Sequence, residues 1–238
     1  MKRLTAKIGL WAAMAETFMS LVYICGLILL ISGNLARYSA AELASQEWTN
    51  ITTYAQHYTD SRGLLEIELV VQISAFIAGL LILVVFLVLH ELADNRIKIL
   101  TRLASSFVLI MAVLSSWGYY VQLASVHQTI ITGGDLEGLA QFAESNISSP
   151  GMATLQLSWA FFYGLGSLLI LPVFGSSRSE KWIKAGFLIN GLIGLTVGIL
   201  YSFGITEILP LAILGLVGSS YVYPLLGVQF HRKIKAPE

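Results

Sequence analysis

The sequence predicts an all-α membrane protein, a single bundle of six transmembrane helices with both termini in the cytoplasm. Three observations lead to this prediction. Of the 238 residues, 56% are hydrophobic and only 12% are charged, and the mean hydropathy is +0.75. The apolar residues fall into six long runs, and a helix needs roughly 20 apolar residues to cross a bilayer. The loops between these runs are alternately rich and poor in Lys and Arg.

The six apolar runs are the predicted transmembrane helices of one membrane domain, residues 1–238. We expect them at Ile8–Ser32, Leu64–His90, Ile99–Ser125, Met152–Phe174, Trp182–Phe203 and Glu207–Gln229. The first run is longer than the roughly 7–15-residue apolar core of a signal peptide and is not followed by a convincing cleavage site. We therefore interpret it as a mature helix that also directs insertion.

The Lys and Arg residues set the predicted orientation, because such residues accumulate in loops that stay in the cytoplasm. Twelve of the fourteen lie in the N-terminus, the second loop, the fourth loop and the C-terminus. Only Arg37 and Arg62 lie elsewhere. Both termini are therefore expected inside, which requires an even number of spans and agrees with six. The formal net charge is zero, so nothing indicates a nucleic-acid partner.

Two long connections, Gly33–Gly63 and Val126–Gly151, lie on the predicted outer side. In the first, Ser39 followed by Glu42 is typical of a capping box and predicts a surface helix. In the second, a short helix is expected to start at Gly134. Two interpretations stay open: these segments cap the outer mouth of the bundle, or they lie on the lipid headgroups.

Each predicted span has one polar or small-residue face, and polar side chains in hydrocarbon usually face the bundle interior. The candidate ligand-binding residues on these faces are Glu16, Glu68, Gln72, Tyr119, Gln122, Gln156, Trp159, Tyr163, Asn190, Tyr201 and Glu207. Most of the acids, amides and aromatics lie in the outer halves of their spans. They predict an outward-facing cavity for a small polar or amphipathic ligand. The alternative is that these residues only join the helices through hydrogen bonds and close packing.

Glu16 is the acid placed deepest in a predicted span. It lies eight residues into the first run, about 12 Å along a helix. An unpaired charge at that depth is costly, so we expect Glu16 to face the bundle interior. There it would hydrogen-bond a polar group on another helix or line water, in a structural or in a proton- or ligand-binding role.

No motif for catalysis, a metal or a cofactor is complete. His90-Glu91 resembles the start of the HExxH zinc motif, but Asp94 stands where the second histidine belongs. His57 and His127 are placed in outer loops, and their spacing does not demand a metal. The single cysteine, Cys25, lies inside the first span and excludes an internal disulfide. We predict a protein that is not an enzyme and has no catalytic residue, no bound metal and no cofactor.

The predicted partners, besides the ligand, are membrane lipid and other helices. Gly194 and Gly198 form a GxxxG motif, which lets two helices approach closely. The motif is expected to pack on a neighbouring helix of the same chain. Packing in a homodimer, or on a partner membrane protein, is the alternative.

About a third of the chain resembles a known family. The resemblance rests on Tyr120-Val-Gln-Leu, on Gly134-Asp-Leu-Glu-Gly-Leu-Ala-Gln-Phe-Ala and on the apolar span that ends Leu171-Pro-Val-Phe174. These segments are similar to an uncharacterised family of multi-spanning prokaryotic membrane proteins. The chain departs from the family pattern at Asn146-Ile-Ser, where an Asn-Pro turn is expected, and at Gln156, near which acidic residues are expected. The resemblance implies a prokaryotic plasma membrane and supplies no catalytic residue.

The sequence supports three hypotheses about function. The first is that the protein binds or transports a small polar or amphipathic ligand through the outward-facing cavity. The second is a non-catalytic accessory or scaffold subunit of a membrane complex. The third, and least supported, is an intramembrane enzyme that acts on a lipid-like substrate. The spans show no clear inverted repeat, which counts mildly against a secondary transporter.

Overall fold

A computed structural model of the chain describes residues 2–35, 64–134, 139–142, 149–205, 211 and 220–235, which are helical and contain no strand. The α-helices are α1 (Lys2–Leu35), α2 (Leu64–Leu92), α3 (Lys98–Val121), α4 (Gln128–Thr132), α5 (Pro150–Gln156), α6 (Tyr163–Leu169), α7 (Arg178–Ser202) and α8 (Val222–Lys235). Short 3-10 turns cover Asn95–Ile97, Leu139–Gln141 and Leu171–Val173.

Two π-helical segments join the shorter helices into long rods. The first π segment, Gln122–His127, connects α3 to α4. The second π segment, Leu157–Phe162, connects α5 to α6. With their flanking turns they form continuous helical rods over Asn95–Thr132 and Pro150–Val173.

Five helices are long and apolar enough to cross a membrane. They are Lys2–Leu30, Glu66–Leu92, Asn95–Thr132, Pro150–Val173 and Arg178–Ser202. The predicted all-helical class and membrane character are thereby confirmed. Helix α8 covers the second half of the expected sixth span. Residues 206–210 and 212–219, which include Glu207 and most of the first half of that span, lie outside the described residues.

The third helical rod is longer than the sequence analysis predicted. It continues to Thr132, whereas the predicted span ended at Ser125 and was followed by a loop. The rod ends at Gly133, which has a φ of 65°. Only a residue without a side chain adopts this left-handed conformation readily, so glycine is the usual residue just after a helix.

Side-chain caps define the starts of two further helices. Ser149 precedes α5, and its hydroxyl accepts a hydrogen bond from the backbone N–H of Met152. Ser177 and Glu180 form a capping box at the start of α7. Each cap satisfies backbone N–H groups that have no partner inside the helix.

The helices form a closed ring in chain order, in which each packs antiparallel to the one before. In α3, Ser105 donates a hydrogen bond to the carbonyl of Phe86 in α2. In the next rod, Ser158 donates to the carbonyl of Met111 in α3, at 2.8 Å. The ring closes where α8 packs on α1, and the most extensive contact joins α1 to α2.

The first residues of α1 and the last residues of α8 lie at the same end of the bundle. Gly9 of α1 lies against Phe230 of α8, and Gly227 of α8 lies against Met14 of α1. Because residue numbers rise in one helix as they fall in the other, α1 and α8 are antiparallel. We call this end the terminal end and the opposite end, where α2 begins, the distal end.

The GxxxG motif packs inside the chain. A Cβ added to Gly194 would lie 2.6 Å from the carbonyl oxygen of Ala160, and one added to Gly198 would lie 3.3 Å from Phe161. Both contacts are with the second π segment. This is the in-chain packing that the sequence analysis favoured, so the motif does not face outward as a dimer surface.

An aromatic core fills the half of the bundle toward the terminal end. It consists of Phe86, Phe174, Phe187, Tyr163 and Tyr223, all buried. The ring centroids of Phe86 and Phe187 are 5.6 Å apart, and those of Phe174 and Phe187 are 5.8 Å apart. Five rings from α2, α6, α7, α8 and the turn after α6 thus meet in one cluster.

Candidate ligand-binding site

A group of buried polar side chains lies near the distal end, between α2 and the first π segment. This polar layer consists of Glu68, Gln72, Gln122 and His127, each at most 6% exposed. Gln72 donates a hydrogen bond to Glu68 within α2, at 3.3 Å. The ring nitrogen Nε2 of His127 lies 3.5 Å from Oε2 of Glu68 and joins the two helices.

The first π segment places two members of the polar layer on one face. In an α-helix with 3.6 residues per turn, residues five apart point in different directions. The i→i+5 hydrogen bonds of a π segment widen the turn and bring such residues closer to one face. Gln122 and His127 are five apart, and both are buried. Segments of this kind are frequent at functional sites.

The segment Leu139–Phe142 contacts one member of the polar layer, Gln122. Gln122 donates a hydrogen bond from its side-chain nitrogen to the carbonyl oxygen of Phe142. The ring of Phe142 makes an edge contact with Trp117, with centroids 6.4 Å apart. This part of the second connection therefore contacts the bundle, and both interpretations of the connection stay open. The predicted helix in the first connection lies outside the described residues.

Several polar atoms of this layer have no hydrogen-bond partner among the described residues. They include the side-chain oxygen of Gln122 and both ring nitrogens of His127, all fully buried, although Nε2 of His127 lies beside Glu68. The indole nitrogen of Trp159, outside the layer, also has no such partner. Buried polar atoms in proteins are nearly always hydrogen-bonded, so these atoms retain the capacity to bind a polar molecule.

Aromatic side chains lie between the polar layer and the aromatic core. Tyr119 is buried and packs with Leu155 and Trp159. Trp159 makes an edge contact with Tyr163, with ring centroids 6.0 Å apart. Gly79 of α2 lies beside these rings, and a Cβ added there would be in ordinary van der Waals contact with Trp159, at 3.7 Å.

Three further predicted site residues lie outside the polar layer. Gln156 is half-buried, and its amide nitrogen contacts the sulfur of Met152 one turn earlier in the same helix. Asn190 is buried in α7 and donates a hydrogen bond to Ser167 in α6, at 2.8 Å. Tyr201 is half-buried near the end of α7. For Asn190 this geometry matches the alternative in which polar residues join helices.

Glu16 is buried in the middle of α1, with 1% of its surface exposed. The hydroxyl of Ser20 donates a hydrogen bond to its Oε1, at 2.6 Å. This partner lies on the same helix, whereas we expected a partner on another helix or water. Its Oε2 has no hydrogen-bond partner within the described part of the chain.

His127 is the site residue that the sequence analysis missed. We placed it in an outer loop, as one of two histidines for which a metal site was considered, but it is buried in a helix and pairs with Glu68. The apolar residues Ile130 and Ile131, followed by Gly133, signalled that the helix continues past His127. The other histidine, His57, lies outside the described residues.

His90, considered and rejected as part of a zinc motif, lies where α2 meets α3. Its Nδ1 hydrogen-bonds the hydroxyl of Thr101, at 2.7 Å. The ammonium of Lys98 donates to the backbone carbonyl of His90, at 2.8 Å. These contacts join the two helices at the terminal end.

The fold and these side chains define a helical membrane protein with a buried polar layer near one end. Comparison of the chain with protein-family models, with curated proteins and with solved structures gave no match. A function is therefore inferred from the polar layer and its surroundings.

Proposed function

We propose that this protein binds a small polar or amphipathic ligand in the polar layer and carries it toward or across the membrane. The observation behind the proposal is the burial of Gln122 and His127 beside Glu68, with polar atoms on both side chains that have no hydrogen-bond partner among the described residues. The protein would be a six-span, non-enzymatic component of a prokaryotic plasma membrane, with both termini in the cytoplasm.

The energetics of the polar layer favour a binding role over a purely structural one. A hydrogen bond between transmembrane helices contributes about 0.6 kcal/mol on average. Each buried polar group left unsatisfied costs about 1–3 kcal/mol. A layer that leaves the Gln122 oxygen and Nδ1 of His127 unbonded is therefore a poor device for joining helices. A ligand that bonds to these atoms would recover the cost.

The side chains also define the chemistry of the ligand. Glu68 and the Gln122 oxygen accept hydrogen bonds, so they suit a ligand with N–H or O–H groups. The neighbouring Tyr119 and Trp159 suit an apolar portion or a cationic group held against an aromatic face. A small amine or hydroxyl compound with an apolar part fits these requirements.

The outer surface of the bundle is suited to membrane lipid, which we propose as its partner. Large apolar side chains are exposed along the helices, among them Trp11 and Phe18 of α1 and Ile99 of α3. Exposed apolar side chains of this size need an apolar surrounding. A homodimer or a partner membrane protein is the alternative, but Gly194 and Gly198 are already used within the chain.

A ligand screen with the purified protein in detergent tests the binding proposal. Thermal unfolding would be measured with a panel of small amines, polyols and amino acids. A ligand at roughly 100 times its Kd stabilises the folded state by about 2.7 kcal/mol. The Gln122→Leu variant should lose this stabilisation. Gln128→Leu is the matched control, because Gln128 is exposed on the same rod. Equal stabilisation of both variants would contradict the proposed site.

Reporter fusions test the proposed topology. A reporter at Lys235 should be cytoplasmic, and one in the Gly33–Gly63 connection should lie on the opposite side. This expectation follows from the distribution of Lys and Arg, because twelve of the fourteen lie on one predicted side. The antiparallel packing of α1 on α8 also supports a shared side for the termini. Reporters on the same side would refute the six-span topology.

A further inference from the structure

We propose that Glu16, with the neighbouring Tyr163–Tyr223 pair, forms a proton-binding site in the middle of the bundle, where Glu16 carries an exchangeable proton at neutral pH. The proton comes from water and returns to water. This inference goes beyond the ligand site, since it involves different side chains and needs no ligand.

Three helices contribute to this site. Glu16 belongs to α1, Tyr163 begins α6, and Tyr223 lies in the first turn of α8. The two tyrosine hydroxyls hydrogen-bond each other, at 2.5 Å, and both side chains are at most 1% exposed. Tyr223 lies one turn before Gly227, which packs on Met14 of α1, so Tyr223 and Glu16 are at about the same level of the bundle. Three proton-bearing groups are thus gathered where the surroundings are otherwise apolar.

The contacts of α1 set the level of Glu16 relative to α2. Gly9 lies against Val88, and Gly26 lies against Val71. Glu16 falls between these contacts and faces the stretch Ala78–Val85, which contains no ionisable residue. Helix α2 therefore supplies neither a cation nor a second acid at this level.

The contacts of α8 show which of its groups face Glu16. Gly227 lies against Met14, so Tyr223, one turn earlier in α8, is level with Glu16. The basic residues of α8 come after Phe230, which lies against Gly9 near the terminal end. The polar groups that these contacts place at the level of Glu16 are Ser20, which hydrogen-bonds it, and Tyr223 with its partner Tyr163.

This arrangement favours the neutral acid. A carboxylate in hydrocarbon needs a cation or several hydrogen-bond donors. Glu16 has one donor, Ser20, and no cation at its level among the described residues. The basic residue nearest to it along α1 is Lys7, about 13 Å away at 1.5 Å per residue. Oε2, which has no partner in the described part of the chain, is the atom that would carry the proton.

Infrared spectroscopy of the full-length protein in detergent tests this proposal without any ligand. A protonated carboxylic acid has a carbonyl stretching band that a carboxylate and an amide lack. At neutral pH the wild type should show this band, and Glu16→Gln should lose it. The band should shift in D₂O, since the proton exchanges, and disappear as the pH rises. Glu68→Gln is the control and should keep the Glu16 band.

Two results would overturn the proposal. One is an identical carboxylic-acid band in the wild type and Glu16→Gln at neutral pH. The other is a band that does not shift in D₂O. If Glu16→Gln fails to fold, Glu16→Asp replaces it, and a band with unchanged frequency in that variant would overturn the proposal equally.

Tyr223→Phe tests the tyrosine pair, because it keeps the ring and removes the hydroxyl. It should shift the frequency of the Glu16 band, and an unshifted band would remove the pair from the site. Failure of the ligand screen would leave these spectra unchanged, so the two proposals fail separately.

Discussion

The aromatic core and the polar layer occupy opposite halves of one helix bundle. They differ in whether their side chains need hydrogen-bond partners. Helix α2 passes through both, with Phe86 in the aromatic core and Glu68 in the polar layer. In the core, Phe86 needs no partner and contacts Phe187 and Tyr163 through ring edges. In the layer, Gln122 and His127 each retain a polar atom without a partner among the described residues.

This difference suggests that one half of the bundle stabilises the fold and the other half binds a ligand. Each close contact between rings favours the folded state, with no directional requirement beyond edge or stacked geometry. A buried amide or imidazole favours the folded state only when its donors and acceptors have hydrogen-bond partners. The half toward the terminal end is therefore suited to holding the helices together. The distal half keeps hydrogen-bonding capacity that a ligand can use.

The largest effect in this comparison is expected from Phe187→Ala in the aromatic core. Removing the ring takes away its contacts with Phe86, Phe174 and Tyr223 and leaves a cavity. The free energy of unfolding should fall by about 3–5 kcal/mol. Denaturant unfolding in detergent would measure it, with the exposed neighbour substitution Leu188→Ala as control. Equal losses in the two variants would show that the core does not carry the stability assigned to it.

An intermediate effect is expected from Gly194→Ala, which tests the packing between the two regions. The added Cβ would lie 2.6 Å from the Ala160 carbonyl oxygen, so backbone atoms must move. Such overpacking costs about 1–3 kcal/mol. Gly198→Ala is the matched control and should cost less, because its Cβ would lie 3.3 Å from the side chain of Phe161. Thermal unfolding that ranks the two variants the other way would contradict this packing.

The smallest effect on the free energy of unfolding is expected from substituting the two buried amides, Asn190 and Gln122. Which of the two substitutions costs more tests whether the polar layer has a structural role. Asn190→Leu removes a hydrogen bond between α7 and α6 and should cost about 0.6 kcal/mol. Gln122→Leu should cost less. It removes one bond to Phe142 but also an oxygen that has no partner among the described residues. A larger loss for Gln122→Leu, measured in the same detergent, would mean that Gln122 has a structural role.

The apolar runs predicted the helices well because length and composition alone decide whether a helix can cross a membrane. Five of the six predicted runs appear as helices of sufficient length, and the polar stripe predicted on α1 placed Glu16 in the interior. The predicted end of the third helix was wrong, because the helix continues through the polar pair His127-Gln128 and ends only at Gly133, which has a left-handed conformation.

The sequence by itself determined the helical, membrane-like character of the protein, the places of five helices long and apolar enough to cross a membrane, and which faces carry polar groups. These properties follow from hydropathy and helical periodicity, which are local. Only the tertiary structure decided that the helices close into a ring, that Glu68 meets His127 and that Tyr163 meets Tyr223. These pairings depend on which helices are neighbours. The π segment that turns Gln122 and His127 to one face depends likewise on packing, since its i→i+5 bonds compete closely with those of an α-helix.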